Sequence, residues 1–241
     1  MAKISEIVEH TLKWEGGLSN AKTDTASATP SPYPYKGQTG WHTNKGITYS
    51  TFKNASKNLG FEDNANNFLT MPNDIWMKIA KNRFWDTLHL DDVKSQAIAN
   101  LLFSWTWASG YGWRNRIQQY FKSKGIDWSQ SDYSKLPSII NGLTDKLGEK
   151  VVADELFEQY RQFYLSIGTR ANPKTTAHPE GVYTKGWLNR VADLQTYSYN
   201  MLGKGVEAVI GVVKKKPLTT IILTITLVVA SYVIYKQLKN K

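Results

Sequence analysis

The segment Ile4-Ser5-Glu6-Ile7-Val8-Glu9-His10-Thr11-Leu12-Lys13-Trp14-Glu15-Gly16-Gly17 sets the fold class of the whole chain. Ile4, Ile7, Val8, Thr11 and Leu12 recur at the period of a helix, with Glu6, Glu9 and Lys13 on other faces, which predicts an amphipathic helix over 4–14. Gly16-Gly17 is expected to stop it, because glycine readily takes the left-handed conformation of a helix C-cap. Glu15 then stands at the helix C-terminus, with Trp14 and its surroundings placed to shield the carboxyl from water, a setting that suits a general acid. An exposed last-turn carboxylate with no chemical task fits the same local pattern.

The same period continues down the chain and predicts an all-α protein. Residues 18–45 are the exception: Asn20, Pro30, Pro32, Pro34, Gly37 and Gly40 punctuate a long loop, and a short β-hairpin within 30–47 would make the fold α+β at most. Helices are then expected over 49–59, from Pro72 to Phe84, from Val93 to Gly110, around Trp113 to Phe121, and over 136–147 and 151–167. A last one runs from Trp187 to about Met201. Val93, Ala97, Ile98, Leu101, Leu102 and Trp105 form the most apolar stripe of these and mark the central buried helix. Helical spacing assigns most of the aromatic residues to the core. Tyr33, Tyr35 and Trp41 lie instead among loop breakers, where they either tuck the loop onto the body or face sugar rings.

With 241 residues, of which 41% are hydrophobic and 12% aromatic, the chain can bury a sizeable core and is not disordered. The formal net charge is +10, but Lys214, Lys215, Lys216, Lys236, Lys239 and Lys241 lie in a tail without acidic residues. The first 213 residues therefore carry about +4, which argues against a nucleic-acid partner. There is no cysteine, which excludes disulfides and a thiol nucleophile. His10, His42, His89 and His178 are scattered without metal-ligand spacing, so neither a metal nor any other cofactor is expected.

The tail has its own signature. Leu218 to Tyr235 runs without a charge, and a helix of that length spans roughly 27 Å, close to the hydrocarbon core of a bilayer. A single transmembrane helix over 217–235 is therefore expected, between a neck at 201–216 and a basic tail at 236–241, with the lipid bilayer as partner. The amino terminus lacks an apolar segment of the secretory type. Two readings accommodate both features: a viral protein that meets the cell wall during entry or release, and a cellular enzyme exported without a signal.

Glu15-Gly16-Gly17, Asp24, and Thr43-Asn44-Lys45-Gly46-Ile47-Thr48 together resemble the amino-terminal signature of the glycoside hydrolase family 108 muramidases. Gln118, Arg161-Gln162-Phe163-Tyr164 and Gly186-Trp187-Leu188-Asn189-Arg190-Val191 are similar to that family's carboxy-terminal, peptidoglycan-binding-like region. The resemblance implies a lysozyme-like helical fold that cleaves the glycan of peptidoglycan, with a catalytic region over 1–110 and a binding-like helical region over 111–200. It places the catalytic glutamate at Glu15, a second carboxylate at Asp24 and a site-lining hydroxyl at Thr43 or Thr48. Asn44, Tyr33, Tyr35 and Trp41 would line the substrate. The chain departs from the family pattern at Leu18, where an aromatic is common, and in the long loop 25–42. Asp24 fits a loop-capping role as well. A wall-binding protein that keeps the fold without turnover is the alternative to an enzyme.

Overall fold

The computed structural model describes residues 1–21, 29–167, 174–177, 179 and 181–202. Met1–Asn200 forms one compact unit. The segment 217–235 lies outside the described residues, among which no helix is long and apolar enough to cross a membrane.

Helix α1 (Ser5–Trp14) is followed by the strands β1 (Thr43–Asn44) and β2 (Ile47–Thr48), then by α2 (Tyr49–Ser56), α3 (Ala65–Thr70) and α4 (Asn73–Ala80). A π-helical turn, Lys81–Trp85, continues α4. The remaining helices are α5 (Gln96–Ser109), α6 (Arg114–Ser123), α7 (Leu136–Leu147), α8 (Glu149–Ser166) and α9 (Thr184–Tyr199). The two strands make an antiparallel hairpin with Thr43 opposite Thr48 and Asn44 opposite Ile47. The described residues are thus mostly helical with one small hairpin, in keeping with the expected class.

Helix α5 is the axis of the unit. Every residue from Ala97 to Thr106 is buried, and α1, α8 and α9 all pack on it. Its start is set by Ser95, whose hydroxyl accepts the Ile98 N–H at 3.1 Å. Val93, expected inside the helix, therefore lies ahead of it, and its carbonyl accepts the Ala2 N–H. Trp76, Trp85, Trp105, Trp113 and Trp128 are buried, as are Phe52, Phe68, Phe103, Phe121 and Phe157. Each buried phenylalanine contributes about 1.5–3 kcal/mol.

Two local expectations need correction. Gly16 and Gly17 do not supply a left-handed cap: neither has a positive φ, and α1 ends because Glu15 itself turns to an extended backbone (φ −90°, ψ 134°). The six-residue helix α3 has too little periodicity to be read from sequence, and Asn64 defines it by accepting the Asn67 N–H at 2.9 Å.

Candidate active site

Four elements converge on the Glu15 carboxyl. The extended backbone at the end of α1 turns the side chain inward, where it is 14% exposed. Trp107, from the last turn of α5, donates its indole N–H to Oε1 at 2.8 Å. Arg190 of α9 donates from Nη2 to the same oxygen at 2.9 Å. Oε2 has no hydrogen-bond partner among the described residues and faces the hairpin turn, where a Cβ on Gly46 would lie 2.5 Å from it.

The sequence Thr43 to Thr48 makes that close approach possible. Lys45 and Gly46 have φ of 45° and 75° and form a two-residue turn of the primed class, which matches the twist of its strands. The turn is pinned from behind. Trp76 of α4 donates its indole N–H to the Lys45 carbonyl at 3.0 Å, and the Lys45 ammonium donates to the Met71 carbonyl at 2.8 Å. Trp107 is held by aromatic contacts with Trp76 (4.9 Å between ring centroids), Phe84 (5.2 Å) and Phe103 (6.0 Å). The carboxyl is thus bounded by rigid groups on both sides.

Trp14, expected to shield Glu15, makes its hydrogen bond elsewhere. Its indole donates instead to Asp193 Oδ2 at 2.7 Å. Asp193 also receives Lys13, at 3.1 and 3.2 Å, and the His10 imidazole at 3.0 Å. Burial by itself would raise the Asp193 carboxyl, but the donors from Trp14 and Lys13 outweigh it and hold the group below the usual carboxylate range. For His10 the balance runs the other way: burial, opposed by Asp193, keeps the imidazole below its ordinary value.

The other expected site residues fall into separate groups. Thr43 and Thr48 face each other across the hairpin, flanking the turn that presses on Glu15. The Thr48 hydroxyl accepts the Thr51 N–H at 3.1 Å and caps α2, while the Thr43 hydroxyl lies 3.1 Å from His42 Nδ1. Asn44 is buried, and its amide donates to the carbonyls of Phe68 (2.7 Å) and Leu69 (3.0 Å), so it ties the hairpin to α3 rather than facing a ligand. Tyr33 is likewise spent on the body: its hydroxyl donates to the Asp63 carbonyl and carboxylate at 2.7 and 2.9 Å. Tyr35, 38% exposed, stands edge-to-face with Trp41, 6.2 Å between centroids, and Trp41 is half-buried against the core. Asp24 lies outside the described residues.

Reasoning from sequence missed Trp107 and the task of Arg190. Trp107 was hidden two residues from Trp105 on a helix buried nearly all round; Trp105 turns to Tyr160 (4.6 Å), whereas Trp107 turns to the site. Arg190 stood in view inside Gly186 to Val191, but nothing local ties it to residue 15. Among the described residues no cluster of acidic and histidine side chains is arranged to hold a metal.

Residues 8–110 match the family model Glycosyl hydrolase 108. The match supports a lysozyme-like glycoside hydrolase domain in this part of the chain, which contains Glu15, the hairpin and Trp107. Arg190 and Asp193 lie beyond it. The fold is similar to that of SagA from Brucella abortus, with a TM-score of 0.54 and 17% identity over 82% of this chain and 94% of that one. No curated protein matches the chain.

Proposed function

We propose that this protein is a peptidoglycan hydrolase of the muramidase type, in which Glu15 gives a proton to the leaving oxygen of the glycosidic bond. The observation that carries this reading is the setting of the Glu15 carboxyl. It is shielded, fixed through Oε1 by two donors, and without a hydrogen-bond partner at Oε2 among the described residues, where the hairpin turn can approach so closely because residue 46 is a glycine. The match of residues 8–110 to a glycosyl hydrolase family supports the same chemistry.

Glycoside cleavage of this kind needs a second carboxylate, to attack, to activate water or to stabilise the cationic transition state. Asp24 is our candidate, on the strength of its place in the motif order, with Thr43 and Thr48 on the hairpin beside the acid. The exposed Tyr35, with the half-buried Trp41 beside it, offers an apolar ring face to sugars.

We further propose that the uncharged stretch 217–235 anchors the enzyme in a membrane. An anchored wall hydrolase suits a virus that must open the wall on entry or release. Detection in purified virions tests that assignment, and extraction from membranes only by detergent tests the anchor.

The decisive experiment for the chemistry is muropeptide analysis after digestion of purified cell walls by the full chain. New reducing ends on N-acetylmuramic acid are expected. Glu15→Gln should abolish them while binding to the walls persists, and undiminished release would reject Glu15 as the acid.

A further inference from the structure

The Glu15 side chain is oriented by a residue 175 positions away that lies outside the segment matched by the glycosidase family. Arg190 and Asp193 stand about one turn apart on α9 and grip consecutive residues at the end of α1. Asp193 takes the Trp14 indole and Arg190 takes the Glu15 carboxyl. Both partners of Glu15 Oε1 can only donate, since an indole and a guanidinium offer N–H groups and no lone pair. Two donors fill the two lone-pair directions of one carboxyl oxygen. A proton on this carboxyl is therefore excluded from Oε1 and sits on Oε2.

We propose that Arg190 is a positioning residue for the Glu15 acid: with Trp107 it occupies Oε1, so that Oε2, over Gly46, is the atom from which the proton leaves. This rests on the muramidase reading above. The region 111–200 then completes the catalytic site, whatever it contributes to wall binding. A second observation marks Arg190 as functional. Among the described residues its Nε is buried without a partner, which costs stability, and a guanidinium retained only for packing would be expected to satisfy its donors.

The test uses the full chain with Arg190→Ala, Arg190→Lys and Glu15→Gln. Two readouts are needed: steady-state cleavage of glycan strands, and the indole N–H resonance of Trp107, assigned by its absence in Trp107→Phe. Arg190→Ala should lower kcat by about tenfold to a hundredfold, a share of what general acid catalysis supplies, with KM changed by less than about twofold. Millimolar guanidinium should restore part of the rate where the same concentration of sodium chloride does not, and Arg190→Lys should fall between. The Trp107 resonance should move in Arg190→Ala and return with guanidinium. A rise in KM alone would make Arg190 a substrate contact and overturn the proposal. So would a loss that tracks the unfolded fraction without rescue, or an unmoved Trp107 resonance. If the wild-type chain releases no reducing ends, or Glu15→Gln keeps them, the muramidase reading fails, and the Trp107 resonance still decides whether Arg190 fixes the carboxyl.

Discussion

A methyl group on Gly46 would lie 2.5 Å from Oε2 of Glu15 and 2.9 Å from the Trp107 ring. The backbone there has φ of 75°, a region that side-chain-bearing residues rarely enter. Gly46→Ala should therefore lower stability by about 1–3 kcal/mol, from backbone strain and crowding together. Glycan cleavage should fall further than the folded fraction does, because the displaced atoms include the carboxyl itself. Thermal melts and initial rates on the same preparation check both.

Trp107→Phe keeps an aromatic ring against Trp76, Phe84 and Phe103 and removes the N–H that holds Oε1. The melting temperature should change little. Activity should drop by about tenfold, the worth of one hydrogen bond to a charged or polarised group. A variant with wild-type kcat would show that Arg190 alone orients the carboxyl.

Asn44→Ala leaves the carbonyls of Phe68 and Leu69 without their donor in the interior. A loss of about 1–3 kcal/mol is expected, measurable by urea unfolding. Asn44→Asp keeps the shape but replaces the donor by an acceptor facing two carbonyls, and should be worse.

The pair at the α1–α9 junction makes stability depend on pH in a defined direction. Burial keeps His10 below the ordinary histidine value of about 6.5 in the folded protein, so the unfolded chain takes up this proton first as pH falls. The contribution of neutral His10 is full above that value and is lost as pH drops through it toward the lower folded value. Asp193 is also held low, so its contribution persists to more acid conditions and disappears only below the usual carboxylate range. The groups around His10 are Asp193, Lys13, Arg190 and Tyr197. Melting temperatures between pH 7.5 and 5 should fall for the wild type and fall less for His10→Gln, on the order of one kcal/mol or less of difference.

Much of this architecture was legible in the residues. The 3.6-residue period marked α1, α5, α7 and α8 because each buries one face or, for α5, nearly all of it. The motif Thr43 to Thr48 pointed to the site through its resemblance to a family signature, and the primed turn, with Gly46 at φ of 75°, supplies the physical reason for its glycine. What stayed illegible was pairing across the chain. Nothing near Glu15 says that the indole of Trp107 rather than that of Trp14 will donate to it, since both are indoles at the end of a helix, and the choice is made by how α5 and α9 lie on α1. Asn44 and Tyr33 looked like ligands for a related reason. Polar and aromatic loop residues suit sugars and carbonyl caps equally well, and only the tertiary fold supplies the carbonyls of Phe68, Leu69 and Asp63 that take them up.

The ion pair between residues 15 and 190 also fixes when the site can exist. At about 5–20 residues per second, a ribosome joins residue 190 roughly 9–35 s after residue 15. For that whole interval the nascent chain carries Glu15 without the guanidinium that occupies its Oε1, so this contact can form only once nearly the whole described unit has been made.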